Sequence, residues 1–335
     1  MPTFCRHNRF IERCPICSKT LPGNEPAGGS PRRARSTGVT KNASGARRGA
    51  TGLRVRHEGR AAEDGYANEL VPGLRATADA VRLAAEIDFA AARLAALALD
   101  PPGLYATARE LAGGELERAT WTCLLIAYLG PTEHEDPFAS IREVLEAAPG
   151  PEAAGAQLGG LLDAAELGPR SSHEQGRGSS TLEAYAQWVG RAGDASQAAA
   201  LRGDVAWSPE RRFARLFERL ALPGFSRAGR YELLVTLGRL GLYELQGDSL
   251  QLGAPRVGAE DPTTLAAKRI FGIGDPLLLE RRAGALAAAA AVPLEALDLA
   301  LANWGAPERA SSGFPGGAPG DGAAPATGAA LGLPA

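Results

Sequence analysis

Apolar residues recur every three or four positions from about Tyr66 to Trp304, and this spacing limits the fold more than any other feature of the chain. It places them on one face of an α-helix, whereas no stretch follows the strict alternation of a half-buried strand. The segment from Trp121 to Leu129 is apolar on every side, which predicts a central buried helix. The sequence therefore predicts an all-α domain over residues 61–305.

The segments that flank this domain lack such periodicity. Residues 21–60 are rich in Gly, Pro, Ser and Arg and hold too few large apolar side chains for a core, which predicts a basic disordered linker. Residues 306–335 are rich in Gly, Ala and Pro, and we expect a disordered tail there. Residues 1–20 instead carry a cluster of cysteines and a histidine.

Four potential zinc ligands fall within the thirteen residues from 5 to 17. Cys14-Pro-Ile-Cys17 is a tight bend that supplies two thiolates, and Cys5 and His7 supply a second pair. Such pairs build tetrahedral zinc sites, and four protein ligands leave no open position, so we expect a structural Zn²⁺. Because so small a segment has no core, the metal would provide its folding free energy. The alternative is a set of redox-active or unpaired cysteines, which would not need Cys5 or His7.

Positive charge is concentrated at one end of the chain. Residues 1–60 hold 13 Lys and Arg against 3 acidic residues, whereas the remaining chain holds 23 against 35. A basic arm on an acidic body suits a polyanion such as DNA, because Arg-rich segments gain affinity by releasing condensed counterions. A solvated, disordered arm explains the same composition without a partner.

Several features favour a cytoplasmic protein without membrane contact. The first residues lack the apolar core of a secretory signal. The longest weakly polar run, Ala283 to Val292, is too short to span a bilayer. Three of the four cysteines belong to the zinc spacing, which suits a reducing compartment, and Cys123 lies in an apolar segment as a core thiol.

Two glycine-containing turns separate predicted helices: Leu222-Pro-Gly-Phe225 and Phe271-Gly-Ile-Gly-Asp275. Glycine permits the turn angles and a close approach by another backbone, and the amides at the start of the next helix favour a phosphate. Four arginines precede the first turn: Arg211, Arg212, Arg215 and Arg219. The predicted nucleic-acid contacts are Gly224, Arg227, Arg230, Lys268, Arg269, Gly272 and Gly274. The alternative is that these are ordinary turns of a helical bundle with solvated arginines.

A polar loop over residues 168–178 combines basic, acidic and guanidinium groups. This composition suits a phosphate or pyrophosphate ligand, with His173 or Glu174 handling a proton. A flexible surface loop explains it equally well. The chain contains no G-x-S-x-G, Walker or dinucleotide-binding motif, so those hydrolase and nucleotide-binding classes are not indicated.

From Trp121 to Trp304 the organisation resembles the helix-hairpin-helix DNA glycosylase superfamily. There a buried helix with a Leu-Ile-x-x-Leu core, here Leu125 to Leu129, precedes a glycine hairpin like that at Phe271 to Gly274. Within it, the chain is most similar to the α-glutamyl/putrescinyl thymine pyrophosphorylase-like proteins of clade 3. The motifs that carry this resemblance are Arg170-Ser-Ser-His173-Glu174, Arg211-Arg-Phe-Ala-Arg215, Phe217-Glu-Arg219, Leu237-Gly-Arg-Leu-Gly241, Lys268-Arg-Ile-Phe-Gly-Ile-Gly-Asp275 and Leu299-Ala-Leu-Ala-Asn303-Trp304.

The resemblance implies a DNA-base-modifying enzyme that displaces pyrophosphate from a pyrophosphorylated hydroxymethyl-pyrimidine and installs an amine. Such chemistry needs an extruded base, arginines for the departing pyrophosphate, and a carboxylate or histidine that moves protons. The candidate catalytic residues are Arg170, His173, Glu174 and Asp298.

The chain departs from the superfamily pattern at one position. Bifunctional glycosylases carry a lysine two places after the second hairpin glycine, where this chain has Pro276, which argues against Schiff-base lyase chemistry. Their aspartate lies downstream, where the nearest acids of this chain are Glu295 and Asp298, both within a predicted helix; the alternative is that either is a surface acid. The alternative functions are a glycosylase-type repair enzyme, a non-catalytic zinc-containing DNA-binding or adaptor protein, and a helical scaffold without a nucleic-acid partner.

Overall fold

The computed structural model describes residues 61–254, 260–314 and 325–334, and the regular structure in these ranges is entirely helical. The all-α class is therefore confirmed, while the zinc segment and the basic linker lie outside the described residues. None of the helices in these ranges is both long and apolar enough to cross a lipid bilayer. The helices are α1 (Thr77–Leu99), α2 (Gly103–Leu111), α3 (Leu116–Leu129), α4 (Ala139–Ala147), α5 (Gly159–Ala164), α6 (Ser180–Gly190), α7 (Gln197–Arg202), α8 (Pro209–Arg219), α9 (Arg227–Arg239), α10 (Pro262–Phe271), α11 (Pro276–Ala289), α12 (Ala296–Gly305) and α13 (Pro325–Ala330).

Helix α3 lies at the centre of the fold. All of its residues from Ala119 to Leu129 are buried, because α2, α4, α7 and α9 pack around it. The Trp121 indole finds a buried acceptor, the Ala148 carbonyl oxygen, at 2.7 Å. Burial raises the pKa of the Cys123 thiol, which stays an apolar core group. The predicted central helix is confirmed.

Helix α12 is buried along most of its length. It packs against both α1 and α10, and every residue from Ala296 to Asn303 is buried. A polar residue on such a helix has no solvent-facing side on which to lie. Asp298 is therefore placed in the interior, where it needs charged or hydrogen-bonding partners.

The chain after α12 differs from the predicted disordered tail of residues 306–335. Phe314 is buried and stacks on Tyr105, with ring centroids 6.1 Å apart. Leu331 is also buried, and its carbonyl accepts a hydrogen bond from the Tyr66 hydroxyl at 2.7 Å. Residues 306–314 and 325–334 are thus packed structure, because a few apolar anchors suffice to fix a chain of otherwise small residues.

Candidate functional site

The polar loop of residues 168–178 is fixed to the end of α3. The Ser172 amide donates to the Tyr128 carbonyl at 2.8 Å, which satisfies an acceptor that the last helical turn leaves without a partner. Gly130 follows α3 with a φ of 71°, and a Cβ there would lie 3.1 Å from the Ser171 amide nitrogen. The glycine therefore allows the loop to cross the helix end closely.

Asp298 of α12 binds two guanidinium groups inside the protein. Its Oδ2 accepts from Nη2 of Arg170 at 2.5 Å, and its Oδ1 accepts from Nη2 of Arg227. The side chains are 3% exposed for Asp298, 5% for Arg227 and 12% for Arg170, so Arg170 is the most accessible of the three. Arg227 also donates to the Leu250 carbonyl at 2.6 Å and to the Thr263 hydroxyl at 3.0 Å.

Two more charged residues adjoin this group. Asp261, the N-cap of α10, lies 2.9 Å from Nε of Arg227, although the two lack the alignment of a hydrogen bond. Arg230 is 6% exposed and donates to the Phe217 carbonyl at 3.0 Å. No carboxylate of the described residues forms an ion pair with Arg230. We call Arg170, Arg227, Arg230, Asp261 and Asp298 the arginine–carboxylate cluster.

Burial and charge act against each other in the cluster. Burial raises the pKa of the Asp298 carboxyl, but Arg227 and Arg170 outweigh it, so this pKa lies below its usual value. For Arg227, burial lowers the pKa, but Asp298 and Asp261 together raise it above the usual value. For Arg230, burial and then the charge of Arg227 lower the pKa to about 10. With three guanidinium groups and two carboxylates, the cluster carries an excess of formal positive charge.

His173, on the same loop as Arg170, contacts a second pair of polar side chains, Tyr128 and Asp163. Its Nδ1 lies 2.8 Å from the Tyr128 hydroxyl, and its Nε2 lies 3.3 Å from Oδ1 of Asp163 in α5. The imidazole is fully buried, whereas the Asp163 side chain is 36% exposed and links it to solvent. Burial raises the pKa of Asp163, but the Gly178 and Gly176 amides outweigh it and leave this pKa below its usual value. If Asp163 accepts the Nε2 proton, Nδ1 accepts from Tyr128.

The four predicted catalytic residues occupy three settings. Arg170 and Asp298 are in direct contact. His173 lies in the same loop as Arg170, with its ring between other partners. Glu174 is exposed and pairs with Arg177. The catalytic roles of these residues stay predictions.

The first glycine turn packs against the protein. Gly224 has a φ of 78°, and a Cβ there would lie 2.2 Å from Oγ1 of Thr181 and 2.8 Å from Cδ of Arg177. Arg227 and Arg230 follow it on α9 and are both buried. The carboxylates of α12 and of the α10 N-cap bind Arg227 in the interior. The predicted nucleic-acid contacts at Gly224, Arg227 and Arg230 stay a prediction.

Replacing Gly224 with Ala is expected to lower the free energy of unfolding by about 1–3 kcal/mol, because the new residue must keep a positive φ and displace Thr181. Urea unfolding followed by circular dichroism measures this loss. Gly274→Ala is the matched control, since a Cβ at Gly274 meets nothing within 4 Å. Equal losses in both variants would contradict the special constraint at Gly224.

The second glycine turn is open to solvent. Gly272 ends α10 with a φ of 65°, and both it and Gly274 are exposed. Over the described part of the chain, the Gly274 amide has no hydrogen-bond acceptor. Lys268 pairs with Glu260 at 2.5 Å, and Arg269 is exposed. The predicted nucleic-acid contacts at Lys268, Arg269, Gly272 and Gly274 stay a prediction.

Sequence reasoning missed three residues of these groups. Tyr128 lies in the apolar stretch of α3, where its pattern indicates only a core side chain. Asp163 lies in the short helix α5 without any motif. Asp261 precedes Pro262, which is the signal of a helix N-cap and says nothing about a charge partner.

Comparison with known proteins gives a family match for part of the chain. Residues 169–312 match the sequence model of the family described as alpha-glutamyl/putrescinyl thymine pyrophosphorylase clade 3. No curated protein and no solved structure matches the chain. The matched range contains the arginine–carboxylate cluster, His173 and both glycine turns. From residue 169 to residue 312, the chain is therefore similar to the alpha-glutamyl/putrescinyl thymine pyrophosphorylases of clade 3.

Proposed function

We propose that this protein is an enzyme that modifies a pyrimidine base in DNA by exchanging pyrophosphate for an amine. The family match over residues 169–312 supports a thymine-modifying activity of this class. The excess positive charge of the arginine–carboxylate cluster is the observation that carries the proposal, because pyrophosphate is a multiply charged anion. Buried guanidinium groups are well suited to bind it.

The proposed reaction is a displacement at the exocyclic methylene carbon of the base. The nitrogen lone pair of the amine forms a bond to this carbon. The bond from the carbon to the pyrophosphate oxygen breaks, and the oxygen leaves with the electron pair. The nitrogen then loses one proton to a base. Such a reaction needs cations beside the leaving group and a proton acceptor beside the nitrogen.

Arg170 and Arg230 are the proposed ligands of the pyrophosphate. Arg230 lacks a carboxylate partner within the described ranges and is held by the Phe217 carbonyl. Arg170 is the most accessible cation paired with Asp298, and it would exchange this carboxylate for a phosphate oxygen. Asp298 would stay bound to Arg227 and keep the remaining cluster in place.

His173 is the proposed proton acceptor. It lies three positions after Arg170 on one loop, and the proposal requires both groups to reach the same reacting centre. Asp163 would hold the ring through Nε2 and stabilise its charged form, and the bond between Nδ1 and the Tyr128 hydroxyl would be exchanged for one to the amine. Glu174 is the second candidate for this role, and it already lies at the surface.

A second candidate function is non-catalytic DNA binding. The observation that favours it is that Arg170, Arg227 and Asp298 satisfy one another without a ligand. A cluster of this kind also stabilises a fold with no chemical role.

The test is an incubation of the full chain with duplex DNA that carries a pyrophosphorylated hydroxymethyl-pyrimidine, in the presence of putrescine or glutamate. The DNA is then digested, and its nucleosides are identified by mass spectrometry. We expect an amine-substituted nucleoside. DNA that is bound but unaltered would overturn the proposed enzymatic activity and favour a non-catalytic DNA-binding protein. Release of a free base would indicate a glycosylase.

We also propose that Cys5, His7, Cys14 and Cys17 bind one structural Zn²⁺; the support is the ligand spacing in the sequence. The purified chain is expected to contain about one zinc per molecule by elemental analysis, and Cys14→Ser is expected to lose it. Cys123→Ser is the matched control, because Cys123 is buried in α3. Full zinc retention in Cys14→Ser would contradict the assignment.

A further inference from the structure

Helix α8 carries three arginines on its outward side. Its inner side is apolar and buried through Phe213 and Phe217. Arg211, Arg215 and Arg219 follow one another at intervals of four residues and are all exposed. Residues at this interval lie on one face of a helix, so we call these three the α8 arginine face.

The two end residues of the α8 arginine face each lie over an indole ring. The guanidinium carbon of Arg211 is 5.1 Å from the ring centroid of Trp207, and that of Arg219 is 5.5 Å from Trp188. A guanidinium placed over a ring engages the ring through its cation–π attraction and keeps its N–H donors for other acceptors. The two indoles therefore hold the cations in position without neutralising them.

Carboxylates neutralise this face only in part. Within the described ranges, neither Arg211 nor Arg219 forms an ion pair. Arg215 lies 3.0 Å from Glu218, and both side chains are more than half exposed, at 54% and 64%. Solvent-exposed pairs of this kind are weak and exchange readily for another anion. The chain after position 60 holds 35 acidic against 23 basic residues, so its formal net charge is negative.

The size of the face fits a nucleic-acid strand. Arg211 and Arg219 are eight residues apart, which is about 12 Å along a helix at ~1.5 Å per residue. A strand of duplex DNA advances ~3.4 Å per nucleotide, so the face spans about three to four phosphates. Helix α8 also leads into the first glycine turn, whose own arginines are buried.

We propose that the α8 arginine face binds the phosphate backbone of DNA and does so independently of base sequence. This inference rests on the proposed DNA substrate and adds a contact surface outside the arginine–carboxylate cluster. Arg211 and Arg219 each contact one phosphate, and Arg215 strengthens the local field. The contact orients the duplex on a body that otherwise repels it.

The test compares Arg211→Gln/Arg219→Gln with Arg75→Gln/Arg118→Gln, which removes two exposed arginines from other surfaces. Binding of the full-length chains to labelled duplex DNA is measured by fluorescence anisotropy over a salt series. The log of the affinity falls as the log of the salt concentration rises. Loss of two phosphate contacts in Arg211→Gln/Arg219→Gln makes this fall less steep, reducing the magnitude of the slope by about 1.8. The control keeps the wild-type slope, and Arg211→Lys/Arg219→Lys retains most of it because the charges remain.

Unfolding midpoints of all variants are measured alongside, and substitutions at exposed arginines are expected to leave them near the wild-type value. A wild type that binds DNA with a steep salt dependence, together with an unchanged slope in Arg211→Gln/Arg219→Gln, would overturn the inference and leave the proposed function intact. Absence of salt-dependent DNA binding by the wild type would overturn both. Binding to heparin is measured for the same variants. If Arg211→Gln/Arg219→Gln loses heparin binding but keeps DNA binding, the face binds another polyanion and the inference is overturned.

Discussion

Replacing Asp298 with Ala is expected to lower the free energy of unfolding by about 3–5 kcal/mol, the typical result of removing one partner from a buried ion pair. The carboxylate holds Arg170 and Arg227 together, and its side chain is 3% exposed. Its loss leaves guanidinium groups buried without their main counter-charge. Urea unfolding followed by circular dichroism measures the effect.

Glu218→Ala serves as the control for Asp298→Ala. Glu218 also pairs with an arginine, but its side chain is 64% exposed, and such pairs contribute roughly 0–1 kcal/mol. Similar losses in the two variants would contradict a structural role for the buried carboxylate.

The pH dependence of stability gives a further check on Asp298. Its pKa in the folded protein lies below the usual value of 3.8, so its stabilising effect is complete above that pH and is lost as the pH falls through the folded pKa. Asp298→Asn should therefore lose less stability on acidification than the wild type.

Replacing His173 with Ala is expected to reduce turnover by about 10²–10⁴-fold, the usual contribution of a general base. The ring is the proposed acceptor of the proton that the attacking amine releases, and Asp163 keeps it oriented. The rate of formation of the amine-substituted nucleoside is measured at saturating DNA. Circular dichroism and DNA binding report whether the variant remains folded.

His134→Ala is the matched control for His173→Ala. His134 also lies near a carboxylate, Glu166, but its side chain is 68% exposed. We expect this variant to keep wild-type turnover. A folded His173→Ala variant with full turnover would limit His173 to a structural bond between its loop and Tyr128, and Glu174 would then be the remaining candidate.

The helical fold could be predicted from the sequence because it depends on local spacing. The apolar positions indicate that α3 is buried on every side and that α8 is buried on one side only. The placement of Arg227 and Arg230 could not be predicted in this way, because arginines on helices are usually solvated. Arg227 is buried against Asp298, which lies 71 positions later in the chain, and Arg230 is buried against the Phe217 carbonyl. Such long-range charge pairing leaves no mark in a single sequence.

The sequence indicates some residues of the candidate site but not the partners that hold them. Arg170 and His173 stand out in a polar loop, so their residue types indicate a role. Their partners do not, since Tyr128 belongs to an apolar helix and Asp163 to a segment without a motif. Glycine turns are equally ambiguous: Gly224 packs against Thr181, whereas Gly274 is open, although both follow the same local pattern.

The most direct test of the central claim is the ratio of released pyrophosphate to amine-substituted nucleoside when the full chain acts on DNA with the pyrophosphorylated base. Both products are quantified in the same reaction, with and without the amine. The proposed displacement predicts equal amounts of the two products and a requirement for the amine. Pyrophosphate release without incorporation of the amine, or no release by a folded and DNA-bound chain, would contradict it.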